Sequence, residues 1–473
     1  MGKLVAAGVL AAALTAAPAI GAVPQSAADA SPVGIHNRSA SALLSRMTLQ
    51  QRVGQLFMVG GAAAGVSSAT RSALTTYHVG NVILTGRSTA GVTATRKVSD
   101  GLQRLSTHQT DAAANLLVST DQEGGYVQVL QGPGFSRMPT ALTQGTWSDS
   151  TLYRSARAWA WQLRSAGVNV NLAPVMDVVS SSFAPYNQPI GYYQREFGHT
   201  PSVVASKGGW FLLGMRSRGV GTTAKHFPTL GRVRYNTDTH SGVVDRTTYA
   251  SSTWLNPFKT AIADHSKFVM VSTAYYEHID PNHPAAFSHT IVTDLLRDKL
   301  GFTGVIVSDD LGNAKQVQAR SPATRAIEFI DAGGDLVLTG NTTTLPSMVN
   351  AVVAKAESNS AFRARVNQSA LRVLQAKQSL GLLRWYAPLT VNGRMDAATA
   401  SALQVYLLST RTGSWDTNTR ECLQRVIGTG VDGVWGPNSQ AALQNFLGIS
   451  HDGSSSLNAR TVAALQRYLN HQR

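Results

Sequence analysis

The chain has 473 residues, of which 43% are hydrophobic and 14% are charged, and its formal net charge is +15. This apolar content argues against an intrinsically disordered protein, and the length predicts one large domain with a smaller appendage. The single cysteine, Cys422, excludes an intrachain disulfide. The positive charge favours anionic partners, but no basic helix, zinc-ligand spacing or stacking pattern indicates nucleic acid.

The N-terminus has the pattern of a secretory signal. Lys3 precedes the Ala-, Leu- and Val-rich run Leu4–Ala17, and small residues then offer cleavage sites after Ala22 or Ala30. The run is shorter than the roughly 20 apolar residues that a membrane-spanning helix needs. We therefore predict removal of residues 1–30, a secreted protein without a membrane span, and anionic wall polymers as the counter-charge. A permanent N-terminal anchor is the alternative for the first segment, and a charge that only keeps the protein soluble is the alternative to the wall polymers.

The region from about Leu49 to Leu383 alternates short Val-, Ile- and Leu-rich runs with longer stretches of helical spacing. Such alternation indicates a parallel sheet covered on both faces, and eight runs favour a (β/α)8 barrel of the TIM type. An open doubly wound sheet is the alternative, but no G-x-G-x-x-G pattern follows the first run. The predicted strands are Gln55–Gly60, Val79–Gly86, Leu116–Asp121, Val168–Asp177, Val220–His226, Phe268–Ala274, Thr303–Asp309 and Asp335–Gly340.

Polar residues stand at the C-terminal ends of several predicted strands, where barrel enzymes carry their active sites. These residues are Asp121, Asp177, Lys225, His226 and Asp309. The paired glycines after Asp121, in the stretch DQEGG, permit a tight turn that would aim its carboxylate into the barrel mouth. A plain turn is the alternative interpretation.

The seventh strand ends in the stretch Ser-Asp-Asp. Asp309, the last residue of this strand, is a candidate nucleophile, because a carboxylate that attacks an anomeric carbon divides one difficult displacement into two easier steps. Asp310 would then cap the following helix or support Asp309. The alternative is that one aspartate caps the helix and the other is solvated.

The loop after the fifth strand contains an Asp-x-His pair, Asp238 and His240. Histidine exchanges protons near neutral pH, and a neighbouring carboxylate can orient the ring and support its charged form. The pair is a candidate acid/base unit, or else a solvated loop pair.

Seven ordered stretches carry a resemblance to one family. They are MTLQQRVGQLFMVG, DQEGG, NLAPVMDV, KHFP, the loop ending in DTH, GFTGVIVSDDL and DAGGDLVL. Across residues 40–385 they resemble the family-3 glycoside hydrolases, and most closely the bacterial β-N-acetylglucosaminidases, or β-N-acetylhexosaminidases, that act on cell-wall sugars. The resemblance implies a retaining hydrolase without a metal or other cofactor.

The resemblance also implies a role for each matching residue. Asp309 matches the nucleophile, His240 the acid/base and Asp238 its orienting partner. The residues that match sugar contacts are Asp121, Arg195, Lys225 and His226.

Some positions depart from the family pattern. Pro228–Gly231 reads Pro-Thr-Leu-Gly where the family commonly has Pro-Gly-His-Gly, and the loop is about two residues longer. Tyr126 and Val129 replace arginines, and Arg195 follows two extra residues. The catalytic pair is intact, so the departures concern the sugar beyond the scissile bond.

The region from about Leu389 to Arg473 has no lysine and contains short Ala-, Leu- and Gln-rich helical runs. VNGRMDAATASALQVYL from Val391 aligns with VDGVWGPNSQAALQNFL from Val431, a repeat of about 40 residues. The second copy resembles peptidoglycan-binding modules of three short helices. We predict a peptidoglycan-binding-like domain over 388–473; a helical cap on the barrel is the alternative.

Together these features predict a cell-wall-associated exo-β-N-acetylglucosaminidase that acts on N-acetylglucosamine-containing glycans of wall or chitin type. A family-3 β-glucosidase is one alternative, but that branch takes its acid/base from a second large domain for which the chain after Leu383 is too short. A wall-binding protein with a catalytically impaired barrel is the other alternative.

Overall fold

The computed structural model describes residues 35–37, 40–107, 114–386, 389–407, 409 and 412–471. The predicted signal peptide lies outside these residues. No helix in the described residues is long and apolar enough to cross a membrane.

Eight parallel strands form a barrel in which each strand pairs with the next in the chain. A parallel bridge between Val307 and Leu336 brings the seventh and eighth strands together and closes the circle. The strands are β1 (Phe57–Ala62), β2 (Asn81–Thr85), β3 (Leu117–Thr120), β4 (Val170–Asn171), β5 (Gly221–Phe227), β6 (Phe268–Val271), β7 (Val305–Ser308) and β8 (Val337–Thr339). The predicted (β/α)8 barrel is therefore confirmed.

Helices connect successive strands and cover the outside of the barrel. The helices up to β8 are α1 (Ala40–Arg46), α2 (Leu49–Gln55), α3 (Ser68–Thr75), α4 (Gly91–Thr107), α5 (Ala141–Gly145), α6 (Asp149–Ser165), α7 (Pro201–Arg216), α8 (Asn256–Ala263), the π-helix Thr290–Lys299 and α9 (Pro322–Asp331). After β8 follow α10 (Leu345–Ser358) and α11 (Ser360–Ser379). Short two-stranded ladders pair Ile35–Asn37 with Arg384–Tyr386, Gln122–Gly124 with Val127–Gln128, and Val244–Asp245 with Tyr275–Tyr276.

The predicted strands are all present, with shifted boundaries. β1 begins at Phe57 because α2 extends to Gln55 and the Leu56 N–H still bonds to the Val53 carbonyl. β4 is regular only over Val170–Asn171, and its ladder is interrupted before Pro174, which has no N–H to donate. Local pattern thus located the strands but not their ends.

Apolar side chains fill two concentric layers. Alternate strand residues such as Met58, Leu117 and Val307 point into the barrel, where they form a closed cluster. Their neighbours, such as Phe57 and Val59, pack outward against the helices in a larger cluster. Because the barrel interior is filled with apolar side chains, a polar site can form only at the ends of the strands.

The C-terminal helical segment, residues 389–471, contains α12 (Ala397–Tyr406), α13 (Thr417–Ile427), α14 (Pro437–Leu447) and α15 (Ala459–His471). It has its own apolar cluster, in which Leu403, Leu423 and Leu443 are fully buried. Four helices of this length need such a shared core, because isolated helices of ten residues are marginal in water.

A buried polar contact joins the segment to the barrel. The Asp100 carboxylate of α4 accepts hydrogen bonds from the hydroxyls of Tyr406 (2.7 Å) and Tyr468 (2.6 Å). Arg96 Nε donates to the other Asp100 oxygen at 2.9 Å, and its guanidinium carbon lies 3.8 Å from the centroid of the Tyr406 ring. The segment therefore has a separate core and a specific seat on the barrel.

Candidate active site

A cavity of about 610 Å³ lies at the C-terminal ends of the barrel strands. It brings together six of the predicted site residues, and these are Asp121, Arg195, Lys225, His226, Asp238 and Asp309. Because parallel strands all end at this rim, side chains far apart in sequence converge there.

One side of the cavity is an ion-pair network around Glu123. Lys225 Nζ, at the end of β5, lies 2.6 Å from both Asp121 Oδ1 and Glu123 Oε1. Arg195 donates two hydrogen bonds to the same Glu123 carboxylate, from Nε at 2.9 Å and from Nη2 at 2.8 Å. The bidentate contact fixes the guanidinium plane. Glu123 is thus the group that holds Lys225 and Arg195 in place.

Burial and the neighbouring charges shift the pKa values of the groups in this network in opposite directions. Burial alone would raise the pKa of Glu123, but the positive charges of Arg195 and Lys225 outweigh it and lower that pKa to about 2. Burial alone would lower the pKa of Lys225, but Asp121 and Glu123 raise it above its ordinary value. Glu123, Arg195 and Lys225 therefore stay charged at neutral pH.

His226 is oriented by Asp177, which is fully buried. The Nδ1 atom of His226 lies 2.7 Å from Asp177 Oδ2, and the backbone N–H of His226 donates to the same oxygen at 3.1 Å. The second oxygen accepts the Leu230 N–H at 2.6 Å. With Nδ1 engaged, the Nε2 atom of His226 is the ring nitrogen available to a ligand.

Asp309 follows β7 at the floor of the cavity. Its backbone N–H donates to the Val271 carbonyl at 2.9 Å, an extension of the ladder to β6. Asp310 is occupied elsewhere, because its carboxylate accepts hydrogen bonds from the backbone N–H groups of Gly312, Asn313 and Gly340. Asp309 is thus the carboxylate of this pair that remains available for chemistry.

Asp238 lies in the cavity wall near Asp309. Its loop is tied to the segment after β7, because the Lys315 N–H donates to the Asp238 carbonyl and the Gln316 N–H donates to the Thr237 carbonyl. Asp238 as a whole is exposed, but its carboxyl group lies in the cavity wall, where other side chains surround it. Burial first, and then the negative charge of Asp309, raises the pKa of Asp238 to about 6.

His240 is the predicted residue that the structure does not bring into the cavity. The residue is exposed, its ring stacks on Tyr235 with centroids 4.8 Å apart, and its Nδ1 atom lies 2.9 Å from Thr239 Oγ1. The expected pairing with Asp238 is thus replaced by a contact with the neighbouring threonine.

Glu123 was missed from sequence, and Asp177 was noted only as a polar residue at a strand end, without its role as the partner of His226. Glu123 stands within DQEGG, and Asp177 ends the predicted fourth strand, but neither position by itself reveals its partner. Three tyrosines at the rim were also missed as a group: Tyr126 and Tyr193 have ring centroids 6.1 Å apart, and Tyr192 lies 5.1 Å from Tyr193. They are 41–63% exposed, an unusual exposure for aromatic rings beside a cavity. In the part of the chain that is described, no three His, Cys, Asp or Glu side chains are grouped to hold a metal ion.

Comparison with known proteins identifies the class. The model of the glycosyl hydrolase family 3 N terminal domain matches residues 48–376. A solved β-N-acetylhexosaminidase from Beutenbergia cavernae is 53% identical, with a TM-score of 0.69, over 70% of this chain and 98% of that one. A family-3 β-N-acetylglucosaminidase structure from Paenibacillus is 29% identical, with a TM-score of 0.65, over 73% of this chain and 64% of that one.

A relative found by sequence comparison carries the same kind of name as the solved structures. The β-hexosaminidase of Stenotrophomonas maltophilia is 32% identical over 263 residues, which are 54% of this chain and 76% of that protein. The barrel and its carboxylate-lined cavity are therefore those of a glycoside hydrolase. The chain belongs to glycosyl hydrolase family 3.

Proposed function

We propose that the protein is a retaining exo-β-N-acetylglucosaminidase that releases terminal N-acetylglucosamine from cell-wall or chitin-like oligosaccharides. The observation that carries this proposal is that Asp309 and Asp238 line one cavity together with the network of Asp121, Lys225 and Arg195. That network offers fixed charged donors and acceptors to the hydroxyls of one sugar. Because these groups are rigidly held, the network favours binding of one terminal sugar unit.

The chemistry assigns a step to each group. The Asp309 carboxylate attacks the anomeric carbon and forms a glycosyl ester as the bond to the leaving oxygen breaks. His240 donates its proton to that oxygen, with Asp238 supporting the imidazolium. Neutral His240 then takes a proton from water, whose oxygen attacks the anomeric carbon and frees Asp309. The sugar leaves with its original anomeric configuration.

The rim tyrosines support an oligosaccharide substrate. Tyr126 and Tyr193 line the cavity and are exposed, so their rings can pack against the apolar face of a sugar beyond the scissile bond. They occupy the side on which the sequence departs from the family pattern. Neutral aromatic contacts suit an uncharged N-acetylglucosamine unit there.

The C-terminal helical segment is proposed to bind peptidoglycan, and residues 388–473 to be its domain. Its internal repeat and separate apolar cluster support this role. The isolated segment, once its cooperative unfolding is verified, should sediment with insoluble peptidoglycan. Failure to sediment would favour a helical cap on the barrel.

Hydrolysis of aryl glycosides tests the enzymatic proposal. The purified protein is assayed in parallel on an aryl N-acetyl-β-glucosaminide and the matching β-glucoside, with Asp309→Asn as the control for contaminating hydrolases. We expect release from the acetamido sugar at least about tenfold faster, because removal of matched polar contacts is costly. Faster release from the plain glucoside would favour a β-glucosidase.

A wall-binding protein with an impaired barrel is the second candidate function. The position of His240 outside the cavity favours it. Absence of activity on both glycosides, together with sedimentation by peptidoglycan, would establish that alternative.

A further inference from the structure

A second cavity lies between the barrel and the C-terminal helical segment. Its volume is about 640 Å³, and its walls come from α6, the turn after α7, and α13 with the loop that follows it. Among the described residues, no Asp or Glu lines it, whereas four arginines do: Arg154, Arg157, Arg218 and Arg425. We call this cavity the arginine cleft.

The cleft is built on one face of α6. Arg154, Arg157 and Trp161 are separated by three and four residues, so their side chains emerge on the same side of the helix. The guanidinium carbon of Arg425 lies 4.2 Å from the centroid of the Trp161 ring, and that of Arg218 lies 5.1 Å away. One indole ring thus holds an arginine from the barrel and one from the segment.

Among the residues that the structure describes, none forms an ion pair with these four arginines. The ion pairs that arginines form elsewhere in the described residues involve other positions. Arg218 Nε and Trp161 Nε1 are buried donors for which the described residues provide no acceptor. Buried donors of this kind ordinarily have a partner. Both nitrogens are themselves occluded, so the groups open to an external anion are the exposed guanidiniums of Arg154 and Arg157.

Like charges also repel one another across the cleft. Burial first, and then the positive charges of Arg157 and Arg425, lower the pKa of Arg218. Burial also lowers the pKa of Arg425, against which Glu421 acts from a distance longer than an ion pair. An external anion would relieve this repulsion, since Coulomb energies are larger in a half-buried cleft than in water.

We propose that the arginine cleft binds an oligomeric anion whose adjacent phosphate or carboxylate groups are held by Arg154, Arg157, Arg218 and Arg425. The planar guanidinium fork matches both groups. The volume lies within the range of about 300–1,000 Å³ typical of small-ligand sites. Since the walls belong to both the barrel and the segment, one bound strand contacts both. This inference is independent of the proposed hydrolytic activity.

Calorimetry at low salt tests the proposal with two defined probes. Sodium tripolyphosphate represents an oligomer of adjacent phosphate groups, and trigalacturonic acid represents a carboxylated glycan. The test variant is Arg157→Gln/Arg425→Gln, and the matched control is Arg71→Gln/Arg467→Gln, which also removes one exposed barrel cation and one segment cation. We expect the test variant to lose about tenfold or more in affinity for the favoured probe and the control to lose less than about twofold.

The outcomes discriminate clearly. Tighter binding of tripolyphosphate identifies phosphate groups as the ligand, and tighter binding of trigalacturonic acid identifies carboxylates; either result, with the expected loss, supports the proposal. Equal losses in both variants would mean long-range attraction only and would overturn it, as would no binding at millimolar probe. Arg154→Gln, at an exposed position, repeats the test should the double variant unfold.

Discussion

The protein gathers cationic side chains in two cavities of similar size that differ in their counter-charge. In the active-site cavity Arg87, Arg195 and Lys225 line the walls together with four aspartates. In the arginine cleft four arginines line the walls with no acidic residue among the described lining.

The difference shows what each cavity is organised to meet. In the active site Lys225 and Arg195 are paired with Asp121 and Glu123, so this part of the cavity is rigid before a neutral sugar arrives. In the arginine cleft the positive charge is uncompensated, so a negatively charged ligand completes it. The two cavities therefore differ in whether their cations are paired within the protein. The paired cavity suits catalysis on a neutral sugar, and the unpaired one suits binding of an anion.

The largest expected effect lies in the compensated cavity, at Asp309. Asp309→Asn should lower turnover by at least roughly a thousandfold, because an amide of nearly the same shape is a far weaker nucleophile. Steady-state kinetics on the aryl glycoside measure the loss, and circular dichroism shows that the fold is retained. A mechanism-based fluorosugar should label Asp309, and label on Asp121 or Asp310 would show that the nucleophile is another residue.

His240→Ala should have an effect that depends on the leaving group. A general acid contributes about a hundredfold to ten-thousandfold when the departing oxygen is basic, and little when it is not. Pre-steady-state measurement of glycosylation should therefore show a much larger loss for chitobiose than for an activated aryl glycoside. Equal losses would indicate that His240 only shapes the site.

Glu123→Gln tests how much the buried ion pairs of Glu123 contribute to the free energy of unfolding. Removing the carboxylate leaves Arg195 buried without its ion-pair partner and leaves Lys225 with Asp121 alone, which should lower the free energy of unfolding by about 3–5 kcal/mol. The exposed pair of Glu277 and Arg246 provides the control, since Glu277→Gln should cost at most about 1 kcal/mol. Urea denaturation measures both, and a similar small cost at Glu123 would contradict the assigned role.

Asp238→Asn should change the pH dependence. Because the pKa of Asp238 is raised to about 6, a role as charged partner of His240 predicts that kcat/KM rises as pH increases through 6 and that the variant loses this rise. A wild-type rate that falls through pH 6 would instead make protonated Asp238 the acid. A raised acid pKa also means that stability falls as pH rises through the window from 3.8 to about 6, so the variant should be more stable at pH 7 and unchanged at pH 3.

The smallest effect is expected in the uncompensated cleft. Arg157→Gln should change the free energy of unfolding by no more than about 0.5 kcal/mol, since the residue is exposed and its removal reduces repulsion on Arg218. Urea denaturation without added anions gives the value. A loss as large as that of Glu123→Gln would show that Arg157 has a structural role.

The sequence by itself determined the eight strands, their order and the polar residues at their ends. Those features depend on short-range patterns, since apolar runs and turn residues lie within about ten positions of each other. The likeness of KHFP, the loop ending in DTH and the Ser-Asp-Asp stretch to family motifs then suggested roles for Lys225, Asp238 and Asp309. The structure places these three side chains around one cavity.

Only the tertiary structure decided which charges meet. Glu123 and Arg195 are separated by 72 positions, and Asp100 and Tyr468 by 368, so no local pattern pairs them. The orientation of His240 depends on its contacts with Tyr235 and Thr239, although the sequence placed it beside Asp238. The arginine cleft likewise exists only because α13 packs beside α6, which brings Arg425 of the C-terminal segment to a tryptophan of the barrel.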